Sequence, residues 1–185
     1  MSDPHRQKVI EDFKRQKAQF DALHAKKAIA RKMLRQQEAH DSILSFAQAI
    51  MPDPAQPDDP YASLYQVREH HRHLLDLMEK VASGEHLRVI ISMPPQTGKS
   101  QIVTRTLLSY LAGKFPWLHL MMGTYSQDFA DDKGSEIRET LSSDTFRGIF
   151  PKCELKVGSR SRSRLETTSG GSLRFVGRGG AATGR

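Results

Sequence analysis

Residues 91–101, with the sequence ISMPPQTGKSQ, contain the side chains of this chain that are best suited to bind phosphate. Gly98-Lys99-Ser100 matches the end of the loop pattern G-x-x-x-x-G-K-[ST]. In such loops backbone N–H groups surround the phosphates, the lysine contacts the β- and γ-phosphates, and the hydroxyl binds Mg²⁺. The first glycine of the pattern is replaced by Met93, and two prolines follow it. The spacing therefore predicts a phosphate-binding loop of an unusual kind.

A loop of this type needs a strand before it and a helix after it. Residues 87–93, LRVIISM, are a short apolar run and predict a buried strand. Residues 100–113 carry apolar side chains at helical spacing and predict a helix closed by Gly113. A chance G-K-S at the start of a helix is the alternative, and the two flanks count against it.

The elements beyond residue 61 alternate between helix and strand. This order predicts an α/β fold, a P-loop NTPase parallel sheet with crossover helices that is incomplete within these residues. Two short strands late in the chain predict an antiparallel addition to that sheet. The further predicted elements are a helix over 65–84 stopped by Gly84, a strand over 118–125, a helix that begins at a cap at Ser126, and strands over 152–157 and 172–177 with a turn at Gly170-Gly171.

The first fifty residues differ from the rest in composition. No proline lies between Pro4 and Pro52, and residues 2–40 carry ten Lys/Arg against five Asp/Glu. Residues 5–50 therefore predict a basic, solvated helix or helix pair with a thin apolar stripe. Four prolines in residues 51–61 predict a linker. We expect residues 1–50 to be a docking segment, 51–61 a proline-rich linker, and 62–185 a partial P-loop ATPase domain.

The overall composition narrows the class of partner. A net charge of +7 suits a polyanion, nucleic acid first, although a basic surface used only for solubility is the alternative. No apolar run approaches the roughly 20 residues of a membrane-spanning helix, and no signal peptide is apparent, so no membrane partner is expected. The single cysteine, Cys153, excludes an internal disulfide and is expected to be a packed side chain rather than a nucleophile.

Three stretches of the chain resemble the large subunit of tailed-phage terminases. IISMPPQTGKS resembles the phosphate loop of the branch whose loop reads close to MPPRHGKS. GTYSQDFADDKGSEIRETL, residues 123–141, resembles the second strand and helix of that family, which carry an S-Y-S-x-x-x-A type signature. LETTSGGSLRFVGRGGAATGR, residues 165–185, resembles the stretch that leads into the next strand of the family, with its T-G-R ending.

The resemblance implies the ATP-binding portion of a motor that uses ATP hydrolysis to move viral DNA into a procapsid. ATP and Mg²⁺ are the implied cofactors. Gln96 stands where this branch often has arginine, so a charge supplied in cis from that position is absent. The implied site residues are Pro95, Gln96, Thr97 and Gly98 for the phosphate cradle, Lys99 for the β/γ-phosphates, Ser100 for the metal, and Gln66 for the adenine edge.

The family also implies partners and a location. Double-stranded DNA, the portal and the small terminase subunit are the expected partners, within a homo-oligomeric ring. The host cytoplasm and, transiently, the portal vertex of the procapsid are the expected locations. Arg178 or Arg185 is expected to reach ATP on the next subunit, as an arginine supplied in trans. The residues themselves, apart from the resemblance, predict that the arginine-rich run 159–164 and Arg174 contact phosphate, either of the DNA backbone or of ATP on a neighbouring subunit. A solvated hairpin is the alternative.

A P-loop ATPase also needs an acidic residue at the end of a later apolar strand. None of the acidic residues after Ser100 directly follows such a strand, and in the resembling family this motif comes just after T-G-R. We therefore expect the 185-residue chain to bind ATP but to hydrolyse it slowly, and to cleave no DNA. His70 and His73 have the spacing of metal ligands on a helix, but no third ligand is near them in the sequence, so no metal is expected there.

Two other functions fit parts of the sequence. A helicase or another DNA-dependent P-loop ATPase would share the loop, although the proline-rich loop and the T-G-R ending count against it. A nucleotide-binding or assembly fragment without catalysis would share the loop but lack turnover.

Overall fold

The computed structural model of the chain describes residues 4–156 and 162–178. In these residues the chain forms six α-helices, one π-helical segment and a three-stranded mixed sheet, which confirms a mixed helix and sheet architecture. No helix of the described part is both long and apolar enough to cross a bilayer. The elements are α1 (Pro4–Asp41), α2 (Ile43–Ala49), α3 (Glu69–Ala82), a π-helical segment (Gln101–Thr106), α4 (Leu107–Lys114), β1 (His119–Thr124), α5 (Gln127–Ser142), α6 (Asp144–Ile149), β2 (Arg164–Glu166) and β3 (Ser172–Gly177).

The sheet combines a parallel and an antiparallel pair, in the order β1-β3-β2. β1 runs parallel to β3, with His119 opposite Ser172, and β2 runs antiparallel to β3. The turn between β2 and β3 uses Gly170 at φ 92°, a conformation that glycine adopts without steric cost. α5 packs closely on β3: a Cβ atom added at Gly134 would lie only 3.0 Å from the Cδ2 atom of Phe175.

The predicted strand over residues 87–93 is wrong. This segment has no regular secondary structure and pairs with no strand among the described residues. Leu87 is 88% exposed and Ile90 is 98% exposed, whereas a buried strand would cover both. An extended segment becomes a strand only when a neighbour accepts and donates its backbone hydrogen bonds, and such a neighbour is set by the fold rather than by local composition.

Further differences between predicted and observed strands and helices lie after residue 143. The predicted strand over 152–157 is reduced to a single bridge between Leu155 and Thr167, with Val157 outside the described residues. The strand that runs antiparallel to β3 is instead β2. Its sequence, Arg-Leu-Glu, is too polar to predict a strand, and only Leu165 is buried in it. The short helix α6 has no counterpart among the predicted elements.

The packed core begins before the predicted linker. Buried side chains start at Arg35 and Ala39 in the last turns of α1, and they continue through α2. Phe46 of α2 is fully buried and lies in an aromatic cluster with Tyr110, Phe146 and Phe150 at centroid distances of 5.5, 6.2 and 5.6 Å. The edge of the core therefore does not coincide with residues 51–61. Earlier in α1, among residues 13–34, the large apolar side chains are exposed: Phe13, Phe20, Leu23, Ile29, Met33 and Leu34.

The proline-rich stretch 51–61 is a closed loop held to α1. Its ends meet through a bridge between Pro52 and Ser63. Asp59 forms an ion pair with Arg31 at 3.0 Å, and the guanidinium of Arg35 lies 5.1 Å from the centre of the Tyr61 ring. These contacts hold the loop against α1.

Candidate phosphate-binding loop

The backbone of the G-K-S loop has an alternating conformation. Gln96 has φ 62° and Gly98 has φ 79°, whereas Thr97 and Lys99 lie outside the positive-φ region. Among the described residues Gln96 is the only non-glycine with positive φ. Alternation between left- and right-handed residues turns successive N–H groups toward one side and forms an anion-binding concavity. Such a conformation costs a non-glycine residue about 1–2 kcal/mol, so the rest of the loop must enforce it at Gln96.

A helix begins directly at the end of this concavity. Lys99 and Ser100 are its first residues, and the N–H of Ile102 donates to the carbonyl of Gly98 at 3.0 Å. The helix continues through the π-helical segment into α4. Because the free N–H groups and the positive end of the helix dipole lie at this start, both add to the attraction of an anion.

The two side chains that the sequence assigns to phosphate and metal are available in this arrangement. Lys99 is partly buried and makes no ion pair with any described residue. Ser100 is exposed, and its hydroxyl does not cap the helix that follows. A nucleotide phosphate with Mg²⁺ fits this donor set, because the phosphate oxygens and the serine hydroxyl are the hard oxygen ligands that Mg²⁺ prefers. Pro95 and Gln96 are exposed at the tip of the loop.

The side of the loop that faces the protein is fixed by side chains. The hydroxyl of Thr97 donates to the carbonyl of Pro94 at 2.8 Å. The Nε2 atom of His71 lies 3.2 Å from the carbonyl oxygen of Thr97. The ring of Tyr65 stacks on His71 with a centroid distance of 5.4 Å and an interplanar angle of 21°. Tyr65 is buried, its hydroxyl has no hydrogen-bond partner in the described structure, and its burial raises the pKa of the phenol to about 12.

The remaining predicted site residues lie on other elements. Gln66 is exposed and lies three residues before α3, whose His71 contacts the loop. Arg178 is exposed directly after β3, where its N–H donates to the carbonyl of Thr124 at 3.0 Å. It therefore sits at the carboxyl end of the parallel pair β1 and β3, the end at which ligands bind in open α/β sheets. Arg185 lies outside the described residues.

The arginine-rich region forms part of one face of the sheet. Arg164 of β2 is opposite Arg174 of β3, and Glu166 forms ion pairs with Arg164 at 2.5 Å and with Lys156 at 3.5 Å. These side chains, together with Met121, line a cleft of about 460 Å³. Among these side chains Glu166 is the only carboxylate, and the others are basic or apolar. Residues 159–161 of the run lie outside the described residues. Phosphate contacts at this face remain a prediction.

Sequence reasoning missed the contact between His71 and the loop. The helical pattern of 65–84 places His71 on the same face as Leu74, Leu75 and Met78, which are buried. That pattern was a signal that the imidazole points into the protein. Its partner is 26 residues away, so the spacing could not identify it. In the described residues no group of three His, Cys, Asp or Glu side chains is placed to hold a metal ion, and His70 and His73 lack a third ligand.

Comparison with known proteins identifies no relative. No protein-family model matches the sequence, and no curated protein or solved structure is significantly similar to it. The likeness to terminase large subunits therefore rests on the three stretches of sequence alone.

Proposed function

We propose that the chain binds ATP with Mg²⁺ through the loop from Pro94 to Ser100. The observation that carries this proposal is the coincidence of a sequence motif and a backbone conformation at the same residues. The sequence G-K-S lies where the backbone alternates in φ at Gln96 and Gly98 and where a helix begins. We further propose that this site belongs to the DNA-packaging motor of a tailed phage, as the ATP-binding portion of a terminase large subunit. That second step is supported by the resemblance of the three stretches.

Each part of the loop has a distinct task in this proposal. The backbone N–H groups around Thr97 and Gly98 bind the phosphate oxygens, and the ammonium of Lys99 neutralises charge on the β- and γ-phosphates. The hydroxyl of Ser100 supplies one oxygen ligand to Mg²⁺. Bound ATP supplies the phosphoryl group, and its transfer to water depends on positioning and charge neutralisation rather than on a covalent intermediate with the protein.

Substitution of Lys99 tests the nucleotide site. Lys99→Ala should weaken the binding of Mg·ATP roughly ten- to hundredfold, because a charge-assisted contact contributes about 1.5–3 kcal/mol. Lys80→Ala is a matched control, since Lys80 is an exposed lysine of α3 with only a 3.9 Å ion pair to Glu85. Titration calorimetry on both variants gives the answer. Equal affinity in the Lys99 variant and the control contradicts the proposal.

A nucleotide-binding module with little turnover is the second candidate function. β1 is followed by Tyr125 and Ser126, and β3 is followed by Arg178, so no carboxylate directly follows either parallel strand. A carboxylate in that position holds Mg²⁺ in rapid P-loop ATPases. Phosphate release by the 185-residue chain should therefore be far slower than one per second. A rate of several per second would assign the metal to one of the described carboxylates and reject this second function.

The proposed motor assigns roles outside the loop. Double-stranded DNA would contact the basic surface, with an affinity that falls steeply as salt rises. Arg178 or Arg185 would act on ATP of the neighbouring subunit in a homo-oligomeric ring. In a longer, hydrolysing form of the protein, mixing subunits that carry Lys99→Ala with subunits that carry Arg178→Ala should then restore part of the hydrolysis that each lacks alone. The portal and the small terminase subunit are the proposed protein partners, at the procapsid vertex in the host cytoplasm.

A further inference from the structure

His71 connects the start of α3 to the protein-facing side of the phosphate-binding loop. Its Nε2 lies 3.2 Å from the carbonyl oxygen of Thr97, and its Nδ1 lies 3.3 Å from the backbone nitrogen of Arg68. The Arg68 N–H can only donate, so Nδ1 must be the acceptor of that bond and the ring proton must be on Nε2. In this arrangement His71 is neutral and donates to the Thr97 carbonyl.

The Thr97 carbonyl needs this donor because of the loop conformation. When successive N–H groups turn toward an anion, the carbonyls between them turn to the opposite side. The carbonyl of Pro94 is satisfied by the Thr97 hydroxyl, and the carbonyl of Thr97 is satisfied by His71. Both bonds are present without a ligand and restrain the conformation of the loop. A loop that is already ordered loses less conformational entropy when the ligand binds, and the affinity is higher for that reason.

The imidazole is itself held in place. Tyr65 stacks on one face of the ring, and the His70 ring approaches it edge-on at a centroid distance of 4.2 Å. Gly98 fits against the ring so closely that a Cβ atom there would lie 3.0 Å from Nε2. A small residue is therefore needed at Gly98 for space as well as for its φ of 79°.

We infer that His71 is a positioning residue for phosphate binding: it holds the Thr97 carbonyl so that the loop N–H groups face the ligand. The inference rests on the proposed nucleotide site. His71 does not touch the phosphates in this scheme, and its effect is transmitted through one main-chain carbonyl. Its loss should therefore weaken every ligand that uses the loop, whatever group is attached to the phosphates.

Three substitutions separate this role from simple packing. His71→Gln keeps an N–H donor near the position of Nε2, His71→Asn keeps polar atoms only near Nδ1, and His71→Ala removes both. His73→Ala is the matched control, because His73 is an exposed histidine on the same helix. Titration calorimetry with Mg·ATP and with pyrophosphate should show that the Ala and Asn variants bind both ligands about three- to tenfold more weakly than the unmodified protein. The Gln variant should lose less than about twofold in affinity. The control should bind both ligands as the unmodified protein does.

The outcomes distinguish this inference from the proposed function. Equal affinity of the Asn and Gln variants for pyrophosphate would overturn the positioning role. Weaker binding of ATP with unchanged binding of pyrophosphate would also overturn it, because that pattern places His71 at the adenine base. If the Ala variant lacks a cooperative melt, the comparison of Asn with Gln decides. Unmodified protein that binds neither ATP nor pyrophosphate contradicts the nucleotide site itself, and the inference fails with it.

Discussion

The hydroxyl of Tyr110 in α4 donates a hydrogen bond to the main-chain carbonyl of His40, 3.1 Å away near the end of α1. The same hydroxyl accepts a hydrogen bond from the ammonium of Lys114 at 2.9 Å. Tyr110 is fully buried, and its ring lies 5.8 Å from that of Phe150. The last turn of α1 therefore belongs to the core around the helix that follows the phosphate-binding loop.

Two truncations should behave differently for this reason. Removal of residues 1–33 takes away no side chain that the structure shows to be buried, and it should leave the cooperative melt in place. Removal of residues 1–50 also takes away the buried side chains of Ile43 and Phe46, and loss of one such phenylalanine alone costs about 3–5 kcal/mol. We expect the shorter deletion to fold and the longer one to aggregate, as measured by calorimetry and light scattering. A cooperative melt after deletion of residues 1–50 would place the core boundary at the proline-rich loop after all.

The left-handed conformation of Gln96 can be tested by substitution. Gln96→Gly should raise the free energy of unfolding by about 0.5–1 kcal/mol, because relief of the strain outweighs the greater freedom of glycine in the unfolded chain. Gly98→Ala should lower it, since Gly98 also has positive φ and has no room beside His71. Urea unfolding of both variants measures whether each substitution raises or lowers the free energy of unfolding. A loss of stability in Gln96→Gly would mean that the left-handed conformation is not strained.

The exposed segment 87–93 makes a prediction of its own. Ile90→Ala should change the free energy of unfolding by less than about 0.5 kcal/mol, because Ile90 is 98% exposed. Ile102→Ala is the matched substitution in the core and should cost about 2–5 kcal/mol, since Ile102 is fully buried. Similar costs for the two isoleucines would show that residues 87–93 are packed as a strand in solution.

Burial of Cys153 predicts a loss of stability at alkaline pH. Desolvation raises the pKa of this thiol to about 11 in the folded protein. The stabilising contribution is complete below the pKa of the unfolded thiol, near 9, and is lost as pH rises through about 11, because the unfolded chain releases the proton first. Cys153→Ala should therefore flatten the fall in stability between these two pH values. Rapid reaction of the folded protein with a thiol reagent at neutral pH would contradict the burial.

Local patterns in the sequence predicted the elements whose signals are local. The predicted cap at Ser126 is present, and its side chain accepts the N–H of Phe129 at 3.3 Å. β1, β3 and the turn at Gly170 also lie where apolar alternation and glycine placed them. By contrast, residues 87–93 have the composition of a strand, but pairing depends on a partner from elsewhere in the fold.

In the candidate site, too, the sequence predicts only those features of the loop that depend on neighbouring residues. Gly98, Lys99 and Ser100 could be assigned from spacing, because the pattern of phosphate loops is local in sequence. The positive φ of Gln96 could not, since glutamine is a poor choice for that conformation and the flanking contacts enforce it. The donor to the Thr97 carbonyl comes from α3, and only the tertiary structure brings the two together.

Titration of the backbone amides with phosphate ligands tests the loop most directly. In a ¹⁵N-labelled sample, addition of pyrophosphate and then of Mg·ATP should shift the amide signals of residues 96–100 most, because these N–H groups change from water to phosphate as their acceptor. The amides of His119–Thr124 in β1 serve as an internal reference and should shift little. Saturable shifts confined to residues 96–100, and their loss in Lys99→Ala, are the predicted result. Unchanged loop amides at saturating ligand, or shifts centred on another surface, would contradict a phosphate-binding loop in this protein.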